Sequence, residues 1–291
     1  MRETMPRRLI AIAAAAVAAA GSIAVSSLGS ANAADPIDYV ALGDSYSAGS
    51  GIAPSAPGSP IQCLRSALNY PNVIAEQTGA TLTDVTCGAA TTAHFTSPQY
   101  PGLKAQVDAL SADTDVVTLT IGGNDSGTFI RASLTCAAAG WFAGGKGSPC
   151  KDQNGTSFED TVRDTTYPDL VKALTAVREK APNAKVAVLG YPWIVPATGG
   201  CFDVIPVAEG DIPYMRSLQT TLNDAVGRAA QETGATYVNL NDLSDGHDVC
   251  APKGTRWIEP PINAENSIFA HPNALGEREM AKAAMAALGL G

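Results

Sequence analysis

The sequence predicts an α/β fold in which a mainly parallel sheet of about five strands carries helices on both faces. Three observations favour this fold. Short apolar runs alternate with amphipathic stretches at the spacing of βαβ units. Several apolar runs end in glycine followed by polar residues, as at Gly43-Asp44-Ser45. The chain of 291 residues is also long enough for one large core and contains no low-complexity linker.

Strands are predicted where short runs rich in apolar or β-branched residues are bounded by turn residues. They are residues 37–43, 81–87, 115–121, 185–189 and 236–240. Helices are predicted where apolar residues recur along one face and a Gly or Asn marks an end. They are residues 69–78, 103–110, 128–139, 167–180, 214–233 and 273–288. We expect irregular structure at 46–62, 140–155 and most of 243–270.

Residues 1–33 are predicted to be a signal peptide. Basic residues precede an apolar run at 9–20, and residues 31–33 have the small-x-small form of a cleavage site. The apolar run is shorter than the roughly 20 residues that a membrane span needs. The pair Arg7-Arg8 fits either the general or the twin-arginine export route. We therefore expect residues 34–291 to form a single secreted, extracellular domain without a transmembrane anchor.

The charge balance is acidic. Nineteen basic residues face 28 acidic ones, which gives a net charge of −9. An acidic surface argues against binding to nucleic acid and against electrostatic docking on anionic lipid. Together with the lack of a long apolar lid segment, it predicts a monomer with an open cleft.

Six cysteines all lie beyond the predicted leader: Cys63, Cys87, Cys136, Cys150, Cys201 and Cys250. An even number in an oxidising compartment predicts three disulfides. Residue spacing alone does not choose among the possible connectivities, although pairing of sequence neighbours would close three separate loops. Zinc is the rival interpretation, but there is no C-x-x-C pair and the three histidines are scattered, so we expect no metal.

In a parallel sheet, ligands bind beyond the carboxyl ends of the strands, so residues that follow each strand are candidates for a site. Ser45 follows the first predicted strand and offers a hydroxyl nucleophile. Gly88 follows the second, where small residues leave backbone N–H groups exposed. Asn124 follows the third, and its side-chain amide can donate to an oxyanion. Each of these segments, taken alone, is equally typical of an ordinary turn.

His271 lies just ahead of the last predicted helix. Pro272 follows it and restricts the angle at which the chain enters the helix. An imidazole has a suitable pKa for a general base at neutral pH. A single histidine in isolation is more often a surface or core residue, so the hypothesis depends on the other candidates.

Other residues are weaker candidates. His247 is the only rival base, and its Asp- and Gly-rich loop favours a surface position. His94 either lines a cleft or is exposed. Trp193 and Trp257 are candidates for cleft walls, although core packing explains them equally well. Asp44 is adjacent to Ser45, and we expect it to bind loop backbone.

In combination and in this order, these segments resemble the SGNH (GDSL) hydrolases, and in particular the secreted lipases and esterases of Streptomyces-type actinomycetes. The segments that carry the resemblance, besides His271, are 43–47, 84–90, 119–125 and 256–260. The resemblance covers essentially all of 34–291. It implies a flavodoxin-like, three-layer α/β/α fold and an ester hydrolase that needs no cofactor. It also implies the sequential disulfides Cys63–Cys87, Cys136–Cys150 and Cys201–Cys250.

The same resemblance assigns roles to residues. It implies that Ser45 is the nucleophile and that His271 is the general base and acid. The oxyanion hole would consist of the backbone N–H groups of Ser45 and Gly88 and the side-chain amide of Asn124.

The sequence departs from the family at one position. Many members have an aspartate three residues before the histidine, where this chain has Ile268. We therefore expect a Ser-His dyad in which the backbone carbonyl of Ile268 or Phe269 orients His271. Glu265 is the less favoured alternative. A carbonyl fixes the tautomer but stabilises the imidazolium less than a carboxylate does.

The predicted function is that of a secreted serine ester hydrolase, a lipase or carboxylesterase, that forms an acyl-enzyme on Ser45. The substrate would be an acyl ester of a lipid or a small alcohol. Phospholipase A-type cleavage and sugar-ester hydrolysis are alternatives within the enzyme class. A catalytically inactive secreted binding protein on the same fold is the alternative from another class, and the intact Ser45, Asn124 and His271 argue against it.

Overall fold

The computed structural model describes residue 1 and residues 36–290. The predicted leader, apart from Met1, lies outside the described residues. The strands within 36–290 are β1 Asp38–Ala41, β2 Thr81–Asp84, β3 Val116–Leu119, β4 Lys185–Leu189 and β5 Thr236–Val238. All of their pairings are parallel, and they form one sheet in the order β2-β1-β3-β4-β5.

The helices of this region vary from one turn to six turns. They are α1 Ser45–Ala48, α2 Tyr70–Thr78, α3 Thr128–Phe142, α4 Pro149–Asn154, α5 Ser157–Thr161, α6 Tyr167–Lys180, α7 Ile212–Glu232, α8 Asn241–Ser244 and α9 Ala274–Leu288. Helix α2 packs on α9, and α6 packs on α7. The sheet therefore lies between two helical layers, which confirms the predicted three-layer α/β/α fold.

The register of the strands brings the candidate residues to one edge of the sheet. Ala41 at the end of β1 is aligned with Asp84 of β2 and with Thr118 of β3. The central strands β1 and β3 are buried almost completely, as expected for strands with helices on both faces. The segments that follow β1, β2 and β3 consequently emerge side by side.

Three predicted segments differ from the structure. The beginning of segment 46–62, predicted to be irregular, belongs to the one-turn helix α1, which Asp44 caps. Segment 103–110 is not a helix but contains a single 3₁₀ turn, Gln106–Ala109. The Gln106 side chain hydrogen-bonds both the N–H and the carbonyl of Gly43, and this long-range contact fixes the turn against the end of β1. Segment 140–155, predicted to be irregular, contains α4, which has a proline in its first turn. Asp211 accepts hydrogen bonds from two N–H groups at the start of α4.

The structure joins Cys63 to Cys87, Cys136 to Cys150 and Cys201 to Cys250. The first of these disulfides ties a 3₁₀ turn, Ile61–Cys63, to the segment that follows β2. In the described part of the chain, no helix has both the length and the apolar character that crossing a membrane requires.

Candidate active site

Ser45 is the first residue of α1, directly after the turn that ends β1. Gly43 has φ of +121°, and a Cβ at this position would lie 2.4 Å from the carbonyl oxygen of Thr120, so only glycine fits. Asp44 caps α1 by accepting the N–H of Tyr46 at 3.0 Å. The N–H of Ser45 itself lies at the beginning of the helix, where no intrahelical acceptor is available. The turn therefore presents both a hydroxyl and a free backbone donor.

His271 reaches Ser45 from the segment before α9. Asn273 caps α9 by accepting the N–H groups of Leu275 and Gly276. His271 Nε2 lies 2.7 Å from Ser45 Oγ, and its Nδ1 lies 2.8 Å from the carbonyl oxygen of Phe269. Of the two carbonyls considered from the sequence, Phe269 is thus the one that contacts the ring.

No carboxylate contacts His271 within the described residues. Glu265, the acidic alternative, forms an ion pair with Lys253 at 3.1 Å. Because Nδ1–H donates to a carbonyl, Nε2 is left as the acceptor for the serine hydroxyl. Burial lowers the pKa of His271, and the hydrogen bond to Phe269 raises it in part. The ring is therefore neutral, and able to accept a proton, at neutral pH.

Tyr46 links the serine turn to the histidine segment, a contact that the sequence analysis missed. Its hydroxyl donates to the carbonyl of Ala270, which has a left-handed φ of +56°. Its ring centroid lies 5.1 Å from that of His271 and 5.0 Å from that of Tyr191. The only signal in the sequence was the position of Tyr46 directly after Ser45. The pairing across more than 200 residues depends on the fold.

Asp44 is buried beneath the serine turn. It accepts hydrogen bonds from Thr120 Oγ1 at 2.7 Å and from the Tyr191 hydroxyl, in addition to the N–H of Tyr46. Burial raises its pKa to about 6, and these hydrogen bonds lower it in part. All three partners belong to the scaffold, so Asp44 holds the turn in place and does not orient His271.

Asn124 follows β3 and lines the same pocket as Ser45 and His271. Its Nδ2 donates to the carbonyl of Ala90 at 3.0 Å, which leaves a second N–H for another acceptor. A neighbouring residue, Asp125, accepts the N–H and the hydroxyl of Thr92. These contacts fasten the segment after β2 to the segment after β3.

Gly88 differs from its predicted role in one respect. Its N–H donates to the carbonyl of Cys63 at 2.8 Å, and its own carbonyl accepts from Gln99 Nε2 at 2.7 Å. The residue is buried. The N–H expected to face an oxyanion is thus already bound within the disulfide loop, a long-range contact that the sequence did not reveal.

A pocket of about 180 Å³ extends from Ser45 and His271. Most of its wall is apolar, and its larger apolar residues are Phe129, Ile130, Ile194, Leu222, Ile268 and Phe269. Ser45, Asn124 and His271 supply polar groups to this pocket, and Ser133 and Gln219 also line it. Such a site suits a ligand with an apolar chain attached to a polar reacting group.

Of the weaker candidates, Asp44 lines this pocket, whereas the two other histidines and the two tryptophans are not among its lining residues. His247 stacks on Trp257 with ring centroids 4.8 Å apart, and its Nδ1 bonds the carbonyl of Thr255. His94 accepts a backbone N–H and caps a 3₁₀ turn. The Arg216 guanidinium lies over the ring of Trp193. Across residues 36–290, no group of three His, Cys, Asp or Glu side chains is arranged to hold a metal ion.

Comparison with known sequences gives strong matches. The profile of the GDSL-like Lipase/Acylhydrolase family matches residues 41–279. Lipase 2 of Streptomyces coelicolor is 58% identical over 284 residues, which make up 95% of this chain and 96% of that protein. A lipase of Streptomyces rimosus is 31% identical over 82% of each chain.

Solved structures of related proteins are also similar to this chain. The phospholipase A1 of Streptomyces albidoflavus NA297 superposes with a TM-score of 0.70 at 29% identity and covers 86% of this chain and 98% of its own. The extracellular lipase of Streptomyces rimosus superposes with a TM-score of 0.73 at 28% identity and covers 86% and 99%. On the evidence of its fold, its Ser-His pair and these matches, the chain belongs to the GDSL-like lipase/acylhydrolase family.

Proposed function

We propose that Ser45 and His271 carry out two-step acyl transfer on carboxylic esters. The observation that carries this proposal is the 2.7 Å separation of Ser45 Oγ and His271 Nε2, with Nδ1 held on Phe269. A nucleophile within hydrogen-bond reach of a base that a third group orients is the arrangement that nucleophilic catalysis requires. Membership of an acylhydrolase family makes the chain a carboxylic ester hydrolase.

The first half-reaction forms an acyl-enzyme. His271 Nε2 takes the proton of Ser45 as Oγ attacks the ester carbonyl carbon. Two donors are free to meet the developing oxyanion: the N–H of Ser45 and the second N–H of Asn124. The N–H of Gly88, which the family resemblance implies as a third donor, already donates to the carbonyl of Cys63. His271 then protonates the leaving alcohol, and water repeats the sequence to release the acid.

The substrate is an ester with an apolar acyl chain. The wall of the pocket is mainly apolar, which favours a lipid acyl chain over a sugar ester. Lipase or carboxylesterase activity is the first candidate. Phospholipase A-type cleavage is the second, because a phospholipase A1 is among the similar structures. The enzyme acts outside the cell as a monomer, and its three disulfides support secretion.

The proposal is tested by kinetics on a p-nitrophenyl ester series, on triacylglycerol and on phosphatidylcholine, together with labelling by a fluorophosphonate. We expect turnover of medium or long acyl esters and stoichiometric labelling. Ser45→Ala should fold, with an unchanged circular dichroism spectrum, and lose both turnover and labelling. A wild-type protein that neither labels nor hydrolyses any ester would instead be the binding protein on the same fold.

A further inference from the structure

Helix α3, which borders the catalytic pocket, is apolar on its outer side as well as on its inner side. Ala132 and Cys136 are buried against the core. On the opposite side, the exposed fractions are 52% for Ile130, 59% for Leu134 and 68% for Trp141. Their spacing of four and seven residues places them along one line of the helix. A helix that is apolar all round normally has its outer face covered.

We call Ile130, Leu134, Trp141 and the 88% exposed Phe142 the outer stripe. Arg131 is the only charged residue of α3. A shallow groove beside the stripe is lined by Leu134, Phe142 and other apolar residues of the 134–149 segment, together with the polar Thr135 and Gln153. An exposed apolar surface that has Arg131 as the single charged neighbour from its own helix marks an interaction site.

The outer stripe is continuous with the mouth of the catalytic pocket. Ile130 belongs to both, because it lines the pocket and is half exposed. Phe269, whose carbonyl holds His271, also lines the pocket and is 43% exposed. A surface that covered the stripe would therefore lie across the entrance through which a substrate reaches Ser45.

Net charge, together with the continuity of the stripe with the pocket mouth, indicates which kind of partner covers the outer stripe. The chain has a net charge of −9, so an anionic surface would be repelled, whereas the stripe itself offers no charge to pair. We propose that the outer stripe docks the enzyme on aggregated ester lipid with an uncharged or zwitterionic surface. This inference rests on the proposed function, because such an aggregate supplies the acyl esters that enter the pocket.

Binding can be measured without turnover. In the Ser45→Ala background, Leu134→Glu and Trp141→Glu should each weaken co-sedimentation with phosphatidylcholine vesicles about tenfold or more. Each variant places a charge where docking on the vesicle would bury an apolar side chain. Ala112→Glu is the control. Ala112 is exposed just before β3, at the opposite edge of the sheet, and its variant should bind like the parent. Equal loss in the control would overturn the proposal.

Kinetics separate this inference from the proposed function. With Ser45 intact, the two stripe variants should hydrolyse emulsified tributyrin about tenfold more slowly, yet keep kcat/KM for dissolved p-nitrophenyl acetate within about twofold. A parallel fall on both substrates would overturn the docking role. Failure of the wild type on both would overturn the proposed function instead. A wild-type dimer that Leu134→Glu converts to a monomer would assign the stripe to a second copy and also overturn the proposal.

A second, independent observation concerns the turn after β2. The Ala90 N–H donates to the Cys87 carbonyl at 3.1 Å, and Ala89 has a left-handed φ of +60°. In a trans peptide the C=O and the following N–H point in opposite directions. The Gly88 carbonyl is held by Gln99, so the N–H of Ala89 points away from Gln99, on the opposite side of the peptide. Within the described residues that N–H has no hydrogen-bond acceptor.

The turn lies against Asn124, since Asn124 Nδ2 donates to the carbonyl of Ala90. Left-handed backbone at a residue other than glycine is strained and tends to persist where function requires it. We infer that the backbone N–H of Ala89, and not that of Gly88, is the third donor to the oxyanion formed on the proposed acyl-transfer pathway.

Amide-to-ester exchange tests this assignment. Replacement of Ala89 by lactic acid removes that N–H and weakens the Gly88 carbonyl as an acceptor for Gln99. We expect kcat to fall about 10²-fold with KM little changed. Replacement of Gly88 by glycolic acid should lower thermal stability but keep kcat within about threefold of the wild type, because the N–H it removes binds Cys63. The inference fails if the two esters lose kcat equally or if the ester at 89 retains it. A wild type without esterase activity would count against the proposed function instead.

Discussion

The two segments that carry the proposed nucleophile and the proposed base are held in different ways. The serine turn, 43–48, is attached to the end of the neighbouring strand: only glycine fits at position 43 against the Thr120 carbonyl, Asp44 caps α1, and the N–H of Asp44 donates to Thr120 directly after β3. The histidine segment, 259–273, is a long irregular loop that depends on a few buried polar contacts. The comparison shows that the proposed nucleophile is placed by contacts with residues distant in sequence around the strand end. The proposed base is placed mainly by buried polar contacts within its own loop and at the cap of α9.

Glu259 makes the largest number of the buried polar contacts described for the histidine segment. It is fully buried and accepts from Arg256 Nη2 at 2.9 Å, from Asn273 Nδ2 at 2.7 Å and from the N–H of Glu265 at 2.7 Å. Its carbonyl also accepts the N–H of Ala270. One carboxylate thus connects the beginning of the loop, its middle and the cap of α9.

The largest expected effect is the loss of the base itself. His271→Ala should lower kcat about 10⁴-fold or more, because no other described group can take the serine proton. Ester hydrolysis by stopped-flow or initial rates measures this. His247→Ala is the matched control, since that ring stacks on Trp257 outside the pocket, and it should keep kcat within about threefold. Comparable losses in the two variants would contradict the assignment of the base.

Glu259→Ala should have the next largest effect, and it should disturb the histidine segment more than the serine turn. It leaves the buried Arg256 unpaired, which typically costs about 3–5 kcal/mol. Urea unfolding measures the loss in the free energy of unfolding. We also expect kcat to fall, because the segment that holds His271 is less firmly fixed. Glu279→Ala removes an exposed pair with Lys282 and should cost less than about 1 kcal/mol. Equal costs in the two variants would show that the loop does not depend on Glu259.

Tyr46→Phe tests the link between the two segments. It removes the hydrogen bond to the Ala270 carbonyl but keeps the ring against His271, so we expect a fall in kcat of about three- to tenfold. Tyr237→Phe is the control, because the Tyr237 hydroxyl is buried without a partner in the described structure. If kcat is unchanged in Tyr46→Phe, the serine turn and the histidine segment are held independently.

The smallest effect is a shift in the pH profile. A protonated His271 cannot accept the serine proton, so kcat/KM falls as the pH drops through the pKa of this residue. Burial lowers that pKa below its ordinary value of 6.5, and no carboxylate in the described chain raises it. The midpoint of the acidic limb should therefore lie below 6.5. A midpoint above 7 would indicate an acidic partner for the imidazole.

The fold was largely predictable from the sequence because its strongest signals are local. The bounds of β4 and α6 agree with the predicted 185–189 and 167–180. Glycine follows β4, and α6 has an apolar stripe. By contrast, segment 103–110 had a helical pattern but is a 3₁₀ turn, because Gln106 binds the backbone of Gly43. Local propensity cannot report such a distant contact.

The site divides in the same way. Ser45 and Asn124 could be proposed because each directly follows a predicted strand. Whether the carbonyl of Ile268 or that of Phe269 contacts His271 depends on the backbone between these residues, where Ala270 has a left-handed conformation. The residue types in this segment do not predict that conformation. The N–H of Gly88 is taken by Cys63, and that bond depends on how the disulfide loop folds. The sequence therefore indicates which segments meet, whereas the direction of individual backbone groups follows from tertiary structure.

The left-handed alanines at 89 and 270 have one further consequence. A glycine would adopt either conformation without steric cost, but it would leave the unfolded and partly opened chain many more states to explore. Alanine accepts a small local strain and in return restricts that freedom. Ala89 lies in the segment that binds Asn124, and Ala270 directly precedes His271. Local strain in the folded protein thus replaces backbone entropy that a glycine would lose on folding.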